Sequence, residues 1–133
     1  MMENKQYKIL IAEDDLFISE VYFTKLSSEN FDVVLVDNGE DALAKFEEVQ
    51  PDVVLLDILM PRMDGWEVLN KIRQKKQAES AIVIMLTNVG DKDAIDKALK
   101  IGADDYLIKS FFTPEEVLIK IRKLLEKKKK NKK

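Results

Sequence analysis

Short apolar runs alternate with segments of helical period along most of the chain, and this alternation restricts the possible folds more than any other feature. The runs are rich in valine, isoleucine and leucine, and they occupy residues 8–12, 33–36, 53–56, 82–86 and 106–108. Several are apolar at consecutive positions, which is typical of strands covered on both faces. A strand followed by a helix, five times in succession, predicts one α/β domain with a doubly wound, five-stranded parallel sheet.

The segments between the runs have apolar residues at every third or fourth position, as amphipathic helices do. The first segment, for example, contains Phe17, Val21 and Leu26. The last segment has a readable start, because the sequence Thr-Pro-Glu-Glu at residues 113–116 has the spacing of a capping box with a first-turn proline. The helical pattern therefore predicts five helices, one after each strand.

The amino-acid composition excludes several classes of protein. The 133 residues include no cysteine and no histidine, so disulfide frameworks, thiolate metal sites and Ser-His or Cys-His catalysis are ruled out. With 46% hydrophobic residues, the chain has enough apolar surface for a core. No apolar run approaches the roughly 18 residues that span a bilayer, and the start of the chain has no signal region. These features predict a soluble, cytoplasmic protein without a membrane span.

Charge is distributed unevenly along the chain. The last seven residues contain six lysines, which leaves 16 basic and 25 acidic side chains in residues 1–126 and a net charge of −9 there. We interpret residues 1–126 as the domain and residues 127–133 as a basic, disordered tail. A lysine run without aromatic residues gives weak, salt-sensitive contacts with nucleic acids, so nucleic acid is not expected as a partner.

Polar residues follow the predicted strands at their carboxyl ends, which is where ligands bind in doubly wound sheets. Three acids follow the first strand, one acid follows the third, a hydroxyl and an amide follow the fourth, and an ammonium group follows the fifth. These residues are Glu13, Asp14, Asp15, Asp57, Thr87, Asn88 and Lys109. The predicted topology brings them to one edge of the sheet.

Each of these residues also has a purely structural explanation when it is taken alone. Asp15 is well placed to cap the first helix, and Thr87 and Lys109 are ordinary residues at strand ends. Together, however, clustered carboxylates destabilise a fold by like-charge repulsion unless a cation neutralises them. Carboxylates without histidine or cysteine suit Mg²⁺, with Mn²⁺ as an alternative. A carboxylate beside such an ion and a lysine can act as a nucleophile toward phosphorus, and Asp57 is the candidate.

The same residues lie in blocks that resemble the receiver domain of response regulators, the phosphoryl-accepting part of two-component and phosphorelay signalling. The blocks are residues 9–15 (ILIAEDD), 55–67 (LLDILMPRMDGWE), 85–87 (MLT) and 105–109 (DYLIK), in the family's order. The resemblance covers residues 7–126 and is most specific between Leu55 and Gly65. It implies a flavodoxin-like (βα)5 fold with the strand order 2-1-3-4-5.

The resemblance also implies a role for each acidic residue. Asp57 would accept the phosphoryl group. Asp14, Asp57 and the backbone carbonyl of Leu59 would bind Mg²⁺ directly, and Glu13 would contact the ion indirectly. The resemblance therefore implies a metal site that shares a carboxylate with the phosphoryl acceptor.

On the phosphoryl side, the resemblance implies that Thr87 and Lys109 bind the phosphoryl oxygens. Tyr106 would be the switch aromatic that turns inward as Thr87 moves, or alternatively an exposed or half-packed strand residue. Two residues depart from the family pattern. Ser110 stands where the family usually has a proline with a cis peptide bond, and a non-proline cis bond is costly. Asn88 stands where the family usually has a small residue, and it either narrows the approach of the phosphodonor or contacts the phosphoryl group.

These observations predict a stand-alone, phosphoryl-accepting signalling switch and not an enzyme. The phosphodonor would be a sensor histidine kinase or a phosphotransfer protein. The signal would leave through the last two helices and the fifth strand, to an unknown downstream protein or to a phosphorylation-dependent dimer. The alternative is a phosphorylation-independent interaction module on the same fold, which Asn88 and Ser110 mildly favour. A phosphatase of the haloacid-dehalogenase type is disfavoured, because it needs an aspartate at the position of Leu59.

Two residues beside the predicted site bear on the lifetime of the phosphorylated state. Hydrolysis of an aspartyl phosphate needs a water aligned with the phosphorus, and polar side chains two positions after the acceptor and two after the threonine can orient it. Those positions hold Leu59 and Val89, which cannot hydrogen-bond a water. We expect slower dephosphorylation than in receivers with polar residues there. Alternatively, both side chains point away, and Asn88 or solvent positions the water.

Overall fold

The computed structural model describes residues 6–75 and 80–131, and in these residues five strands alternate with five α-helices. The strands are β1 (Lys8–Ala12), β2 (Asp32–Val36), β3 (Val53–Leu56), β4 (Ile82–Thr87) and β5 (Asp105–Ile108). The helices are α1 (Leu16–Ser28), α2 (Gly39–Val49), α3 (Gly65–Arg73), α4 (Lys92–Ile101) and α5 (Pro114–Asn131), with a short 3₁₀ turn at Lys109–Phe111 before α5. Every predicted strand is present, and three of them are one residue longer than the apolar run.

The five strands form one parallel sheet in the order β2-β1-β3-β4-β5. This order confirms the predicted doubly wound, flavodoxin-like fold. The direction of winding changes between β1 and β3, which are neighbours with Ala12 paired to Leu56. The residues that follow these two strands, Glu13 and Asp57, therefore leave the sheet side by side, at the switch point where such folds bind ligands.

Apolar side chains alternate between the two faces of the sheet and form two separate core layers. Leu10 and Val54 face a layer that packs against α2, α3 and α4. Ile9 and Val53 face a layer that packs against α1 and α5. Because both faces of the inner strands are covered, these strands are apolar at consecutive positions. The packing on both faces also holds the carboxyl ends of the strands in a fixed position.

Of the three residues whose spacing predicted the buried side of helix α1, only Leu26 is buried. Phe17 is 78% exposed and Val21 is 37% exposed, whereas Tyr22 and Leu26 are buried and Ile18 packs beside them. The reason is that α1 carries apolar residues on more than one side, so the helical period alone allows two choices of buried face. The side of α1 that is not buried leaves apolar side chains, Phe17 among them, exposed near the start of the helix.

Helix α5 begins as predicted and ends later than predicted. Thr113 and Glu116 exchange backbone–side-chain hydrogen bonds in a capping box. The helix then continues to the end of the described chain, in contrast to the disorder predicted from residue 127, and residues 132–133 lie outside the described part. Lysine is a good helix former, and positive charge is favourable in the last turn of a helix, so the lysine run extends α5. The domain boundary at residue 126 stays a prediction.

None of the helices in residues 6–75 and 80–131 is both long enough and apolar enough to cross a membrane.

Candidate functional site

Three carboxylates converge at the ends of β1 and β3. Glu13 and Asp57 are buried, at 4% and 6% exposure, whereas Asp14 is exposed. One oxygen of each group lies within 4.8 Å of an oxygen of the other two. Asp15 does not join this group, because its side chain caps α1 by accepting the backbone N–H of Phe17. The structure thus separates the cluster predicted from the sequence into three site acids and one helix cap.

The loop that carries Asp57 is fixed by its contact with the start of α3. The backbone N–H of Ile58 donates to Asp57 Oδ1 at 2.7 Å, and the N–H of Gly65 donates to the Ile58 carbonyl at 2.8 Å. A Cβ atom on Gly65 would lie 2.2 Å from the Asp57 carbonyl oxygen, so only glycine allows this approach. Asp64 caps α3 by accepting the N–H of Glu67, which anchors the helix at that point.

Lys109 reaches into the cluster from the end of β5. Its Nζ lies 2.6 Å from Glu13 Oε1 and 2.9 Å from Asp57 Oδ2, and its side chain is 13% exposed. The contact with Asp57 places the ammonium group directly beside the carboxylate that the sequence predicts to be the phosphoryl acceptor. The contact with Glu13 was not predicted, because the sequence carries no signal for which of several neighbouring acids a lysine will reach.

Burial and hydrogen bonding act in opposite directions on these groups. Burial raises the pKa of the Glu13 carboxyl, and the hydrogen bonds from Lys109 and from the Asp15 backbone only partly offset this. Burial disfavours the charged form of Lys109, but its hydrogen bonds to Asp57 and Glu13 outweigh burial and raise its pKa. Lys109 is therefore protonated at neutral pH, and one ammonium faces three carboxyl groups. This balance favours a further cation at the site.

Changing Lys109 to Met is expected to lower the free energy of unfolding by about 2 kcal/mol near pH 7, because two buried carboxylates lose a shared hydrogen-bonding cation. The stability that Lys109 provides is present below its unfolded pKa of 10.5 and is lost only as the pH rises above that value. In the variant, the already raised pKa of Glu13 rises further. The native state then binds a proton more readily than the unfolded state, so the deficit should shrink at about pH 5.

Urea denaturation at both pH values measures this effect. The matched control is Lys92→Met, since Lys92 on α4 forms an ion pair with the exposed Asp96 on the protein surface. A deficit that is the same at both pH values, or that the control reproduces, would contradict the assigned charge coupling.

The loop after β4 is held by three hydrogen bonds. The buried hydroxyl of Thr87 accepts the N–H of Val89 at 3.3 Å. The hydroxyl of Tyr106 donates to the Val89 carbonyl, and the tyrosine ring is half-buried against the core layer under α2, α3 and α4. The side chain of Asn88 accepts the N–H of Ser110 at 3.0 Å. These bonds connect the loop that carries Thr87 to β5 and to the turn that follows it.

The two residues predicted to control lifetime lie in different surroundings. Leu59 is 66% exposed on the loop after β3, beside the acid cluster. Val89 is half-buried and packs against the core layer under α2, α3 and α4. The Leu59 side chain is therefore mostly open to solvent, whereas Val89 is held by backbone hydrogen bonds to Thr87 and Tyr106.

Large exposed apolar side chains follow three of the strands at the same edge of the sheet as the cluster, and their exposure was not predicted from the sequence. Leu16 and Phe17 at the start of α1 are 70% and 78% exposed, and Phe111 in the turn after Lys109 is 76% exposed. Together with Leu59 they form what we term the apolar rim. Patches of this kind on a folded protein mark binding surfaces. The only signal in the sequence was that these residues adjoin the polar strand ends.

Comparison with known proteins gives a consistent result. A family model described as response regulator receiver domain matches residues 9–122. The transcriptional regulatory protein ResD of Bacillus subtilis (strain 168) is 35% identical over 127 residues, which is 96% of this chain and 51% of ResD. The chain spans about half the length of the curated relatives that it matches.

Solved structures agree with the family model. A CheY-like response regulator receiver domain protein from Methanospirillum hungatei JF-1 superimposes with a TM-score of 0.89 at 29% identity, covering 96% of this chain and 100% of that one. The BeF3-activated receiver domain of RstA from Klebsiella pneumoniae has a TM-score of 0.79 at 30% identity, covering 86% of this chain and 95% of that one. The sheet order, the residues at its edge and these matches together show that the chain belongs to the response regulator receiver domain family.

Proposed function

We propose that this receiver domain takes a phosphoryl group onto Asp57 with the help of Mg²⁺ and then changes the surface that it offers to a partner. One observation carries the proposal. The Asp57 carboxylate is buried at the end of β3, with Lys109 Nζ at 2.9 Å and two further acids within 4.8 Å. A buried nucleophile beside a cation and a metal-binding pair is the arrangement that phosphoryl transfer to a carboxylate requires.

The residues at the site fit a hard divalent ion. All the side-chain donors in the cluster are carboxylate oxygens, which Mg²⁺ prefers, and a single ammonium leaves negative charge uncompensated. Asp14, Asp57 and the carbonyl of Leu59 would hold the ion, and Glu13 would contact it indirectly. When bound, Mg²⁺ supplies positive charge that neutralises the phosphoryl oxygens.

The chain's own groups account for the transfer step. An oxygen of Asp57 forms the new bond to phosphorus, the bond between phosphorus and the donor nitrogen breaks, and its electron pair stays with the donor imidazole. The Ile58 N–H holds the carboxylate in place, and Lys109 neutralises charge on the transferred group as a point charge. Thr87 accepts from Val89 through its oxygen, so its own O–H remains available to donate to a phosphoryl oxygen.

The direct test is the intact mass of the chain after incubation with a small acyl phosphate, with Mg²⁺ and with a chelator in its place. We expect one added phosphoryl group in the presence of Mg²⁺, mapped by peptide mass to the segment that contains Asp57, and little without the ion. Using a phosphohistidine protein as the donor tests the proposed partner class in the same assay. No uptake from either donor would contradict the proposal and would favour the phosphorylation-independent interaction module.

The apolar rim supports a protein phosphodonor, such as a sensor histidine kinase or a phosphotransfer protein. The exposed residues of the apolar rim follow β1, β3 and β5 at the same sheet edge as Asp57. Burying apolar side chains is a main source of affinity in protein complexes. A small phosphodonor cannot cover this surface. The rim thus favours a partner that docks over the acceptor while the phosphoryl group transfers.

The output surface proposed here consists of α4, β5 and α5. Tyr106 on β5 bonds to the Val89 carbonyl, so movement of the Thr87 loop changes the environment of a residue on that surface. A downstream protein, or a second copy of the chain, would bind there after phosphorylation. Sedimentation of the chain with and without BeF3 as a phosphoryl analogue tests for the dimer. The stand-alone arrangement and the cytoplasmic location stay predictions.

Mg²⁺ is expected to stabilise the native chain, since an ion that binds only the folded state adds about 2.7 kcal/mol at a hundred times its dissociation constant. Asp14→Asn should weaken Mg²⁺ affinity by about tenfold or more, because one charged ligand is lost. Thermal unfolding across a Mg²⁺ titration measures both effects. The control is Asp37→Asn, which removes an acid after β2, outside the cluster. Equal Mg²⁺ responses in the two variants would show that Asp14 is not a ligand.

The phosphorylated state is expected to be long-lived because Leu59 cannot orient a water. The double variant Leu59→Asn, Val89→Glu should lose its phosphoryl group about tenfold faster than the unaltered chain. The single Leu59→Asn variant should show most of the effect, since Leu59 lies in the open rim and Val89 packs against the core. Loss of the phosphoryl mass over time in one buffer measures the rates, with Leu99→Asn on α4 as a surface control. An unchanged rate in the double variant excludes these residues as the determinants of lifetime.

A further inference from the structure

The two residues that depart from the family pattern contact each other. Asn88 Oδ1 accepts the backbone N–H of Ser110 at 3.0 Å, and both residues are exposed. They directly follow Thr87 and Lys109, the two residues proposed to bind the phosphoryl oxygens. We term this contact the Asn88–Ser110 bridge. It spans the gap between the loop after β4 and the turn after β5.

The bridge requires both departures at once. A proline at position 110 has no N–H to donate, and a small apolar residue at position 88 has no side-chain acceptor. The orientation of the amide is also determined, since a backbone N–H needs the Asn88 oxygen and not its nitrogen. The side-chain oxygen of Asn88 is therefore directed at the Ser110 amide and not at Asp57.

The turn after β5 needs such a restraint. Proline fixes its own φ angle and limits the residue before it, whereas serine leaves this segment more conformational freedom. The ammonium end of Lys109 is held by Glu13 and Asp57, but its backbone lies in a short 3₁₀ turn whose closing bond, from Phe112 N–H to the Lys109 carbonyl, is long at 3.4 Å. The bridge adds a shorter bond one residue from Lys109.

We propose that Asn88 is a positioning residue for phosphoryl binding. By holding the Ser110 amide, it keeps the Lys109 segment at a fixed separation from Thr87, so that both groups are placed before the phosphoryl group arrives. It takes over the restraint that proline would supply. This inference rests on the proposed function, because it concerns the affinity of the same site for a phosphoryl group.

The rival explanation is that Asn88 acts through its size, by narrowing access to the acceptor. Two variants separate the explanations. Asn88→Leu keeps a side chain that branches at Cγ and is at least as large as asparagine, but it removes the oxygen that accepts the hydrogen bond. Asn88→Ala removes both the size and the oxygen. If the bridge matters, the two variants behave alike. If the size of the side chain matters, the BeF3 affinity of Asn88→Leu resembles that of the unaltered chain, and the affinity of Asn88→Ala differs from it.

Calorimetric titration with BeF3 in saturating Mg²⁺ tests the proposal. We expect both Asn88→Leu and Asn88→Ala to bind BeF3 about fivefold more weakly, which corresponds to the loss of one ordinary hydrogen bond. Ser110→Ala, which keeps the backbone N–H and removes only the hydroxyl, should bind normally. Mg²⁺ affinity should be unchanged in all three variants, and this readout separates positioning of the phosphoryl side from general loss of structure.

Amide hydrogen exchange at Ser110 reports on the bridge itself. Protection should fall in Asn88→Leu and return in Asn88→Asp, which restores an oxygen acceptor. Unaltered BeF3 affinity in Asn88→Leu, or a difference between Leu and Ala, would overturn the positioning role while leaving the proposed function intact. Failure of the unaltered chain to bind BeF3 at all would overturn both.

Discussion

The Asp57→Asn variant is expected to take up no phosphoryl group from any donor and to keep its fold. An amide is not a nucleophile toward phosphorus, so the chemical step is lost completely and not merely slowed. The amide has the shape of the carboxylate, and its oxygen can still accept the Ile58 N–H. Lys109 keeps its contact with Glu13, so the cation is not left without a partner.

The measurement is intact mass after incubation with a small acyl phosphate and Mg²⁺. The matched control is Asp64→Asn, in the same loop. Asparagine caps a helix as well as aspartate does, so α3 keeps its start while one nearby negative charge is removed. Phosphorylation of the control together with none of Asp57→Asn is the expected outcome. A phosphoryl group on the Asp57→Asn chain would place the acceptor elsewhere, with Asp14 the first residue to examine.

Changing Gly65 to Ala is expected to lower the free energy of unfolding by about 3 kcal/mol or more. The added Cβ would meet the Asp57 carbonyl oxygen at 2.2 Å and the Ile58 Cα at 2.7 Å, and both are backbone atoms that cannot rotate away. Relief requires α3 to move away from the acceptor loop, which also breaks the bond from the Gly65 N–H to Ile58. Phosphorylation should therefore slow as well, because the loop that carries Asp57 loses its support.

Urea denaturation compares this variant with Gly90→Ala. At Gly90 the nearest atom to an added Cβ is the Ile108 Cδ1, at 3.2 Å, and this flexible side-chain end can shift. We expect Gly90→Ala to lower the free energy of unfolding by less than about 1 kcal/mol. Similar losses at the two positions would show that the approach of α3 to the acceptor loop tolerates a side chain.

The fold could be predicted from the sequence because strands that are buried on both faces of a sheet are apolar at every position. Strands such as 53–56 must be apolar at every position, and no helix on the surface has that pattern. The proximity of Asp57 and Lys109 was predictable for a related reason. The strands of a parallel sheet bring their carboxyl ends to one edge, so these two residues could be placed together without knowledge of side-chain positions.

Other features could not be predicted because they depend on choices between nearly equal alternatives. Helix α1 has apolar residues on several sides, and packing against α5, not periodicity, decides that Tyr22 is buried and Phe17 is not. Lys109 has several acids within reach, and only the geometry of the folded chain selects Glu13 as its second partner. The contact between Asn88 and Ser110 joins positions 22 residues apart and has no sequence signature.

Strand β3 is more rigid than the loops that follow β4 and β5. This strand lies between β1 and β4, and each of its four residues is at most 1% exposed. Segments with such burial open only with the whole fold. Asp57 thus stands at the end of the least deformable part of the chain, while Thr87 and Lys109 lead into exposed loops. Under the proposed function, we expect phosphorylation to rearrange those loops while Asp57 stays in place as the fixed point against which they move.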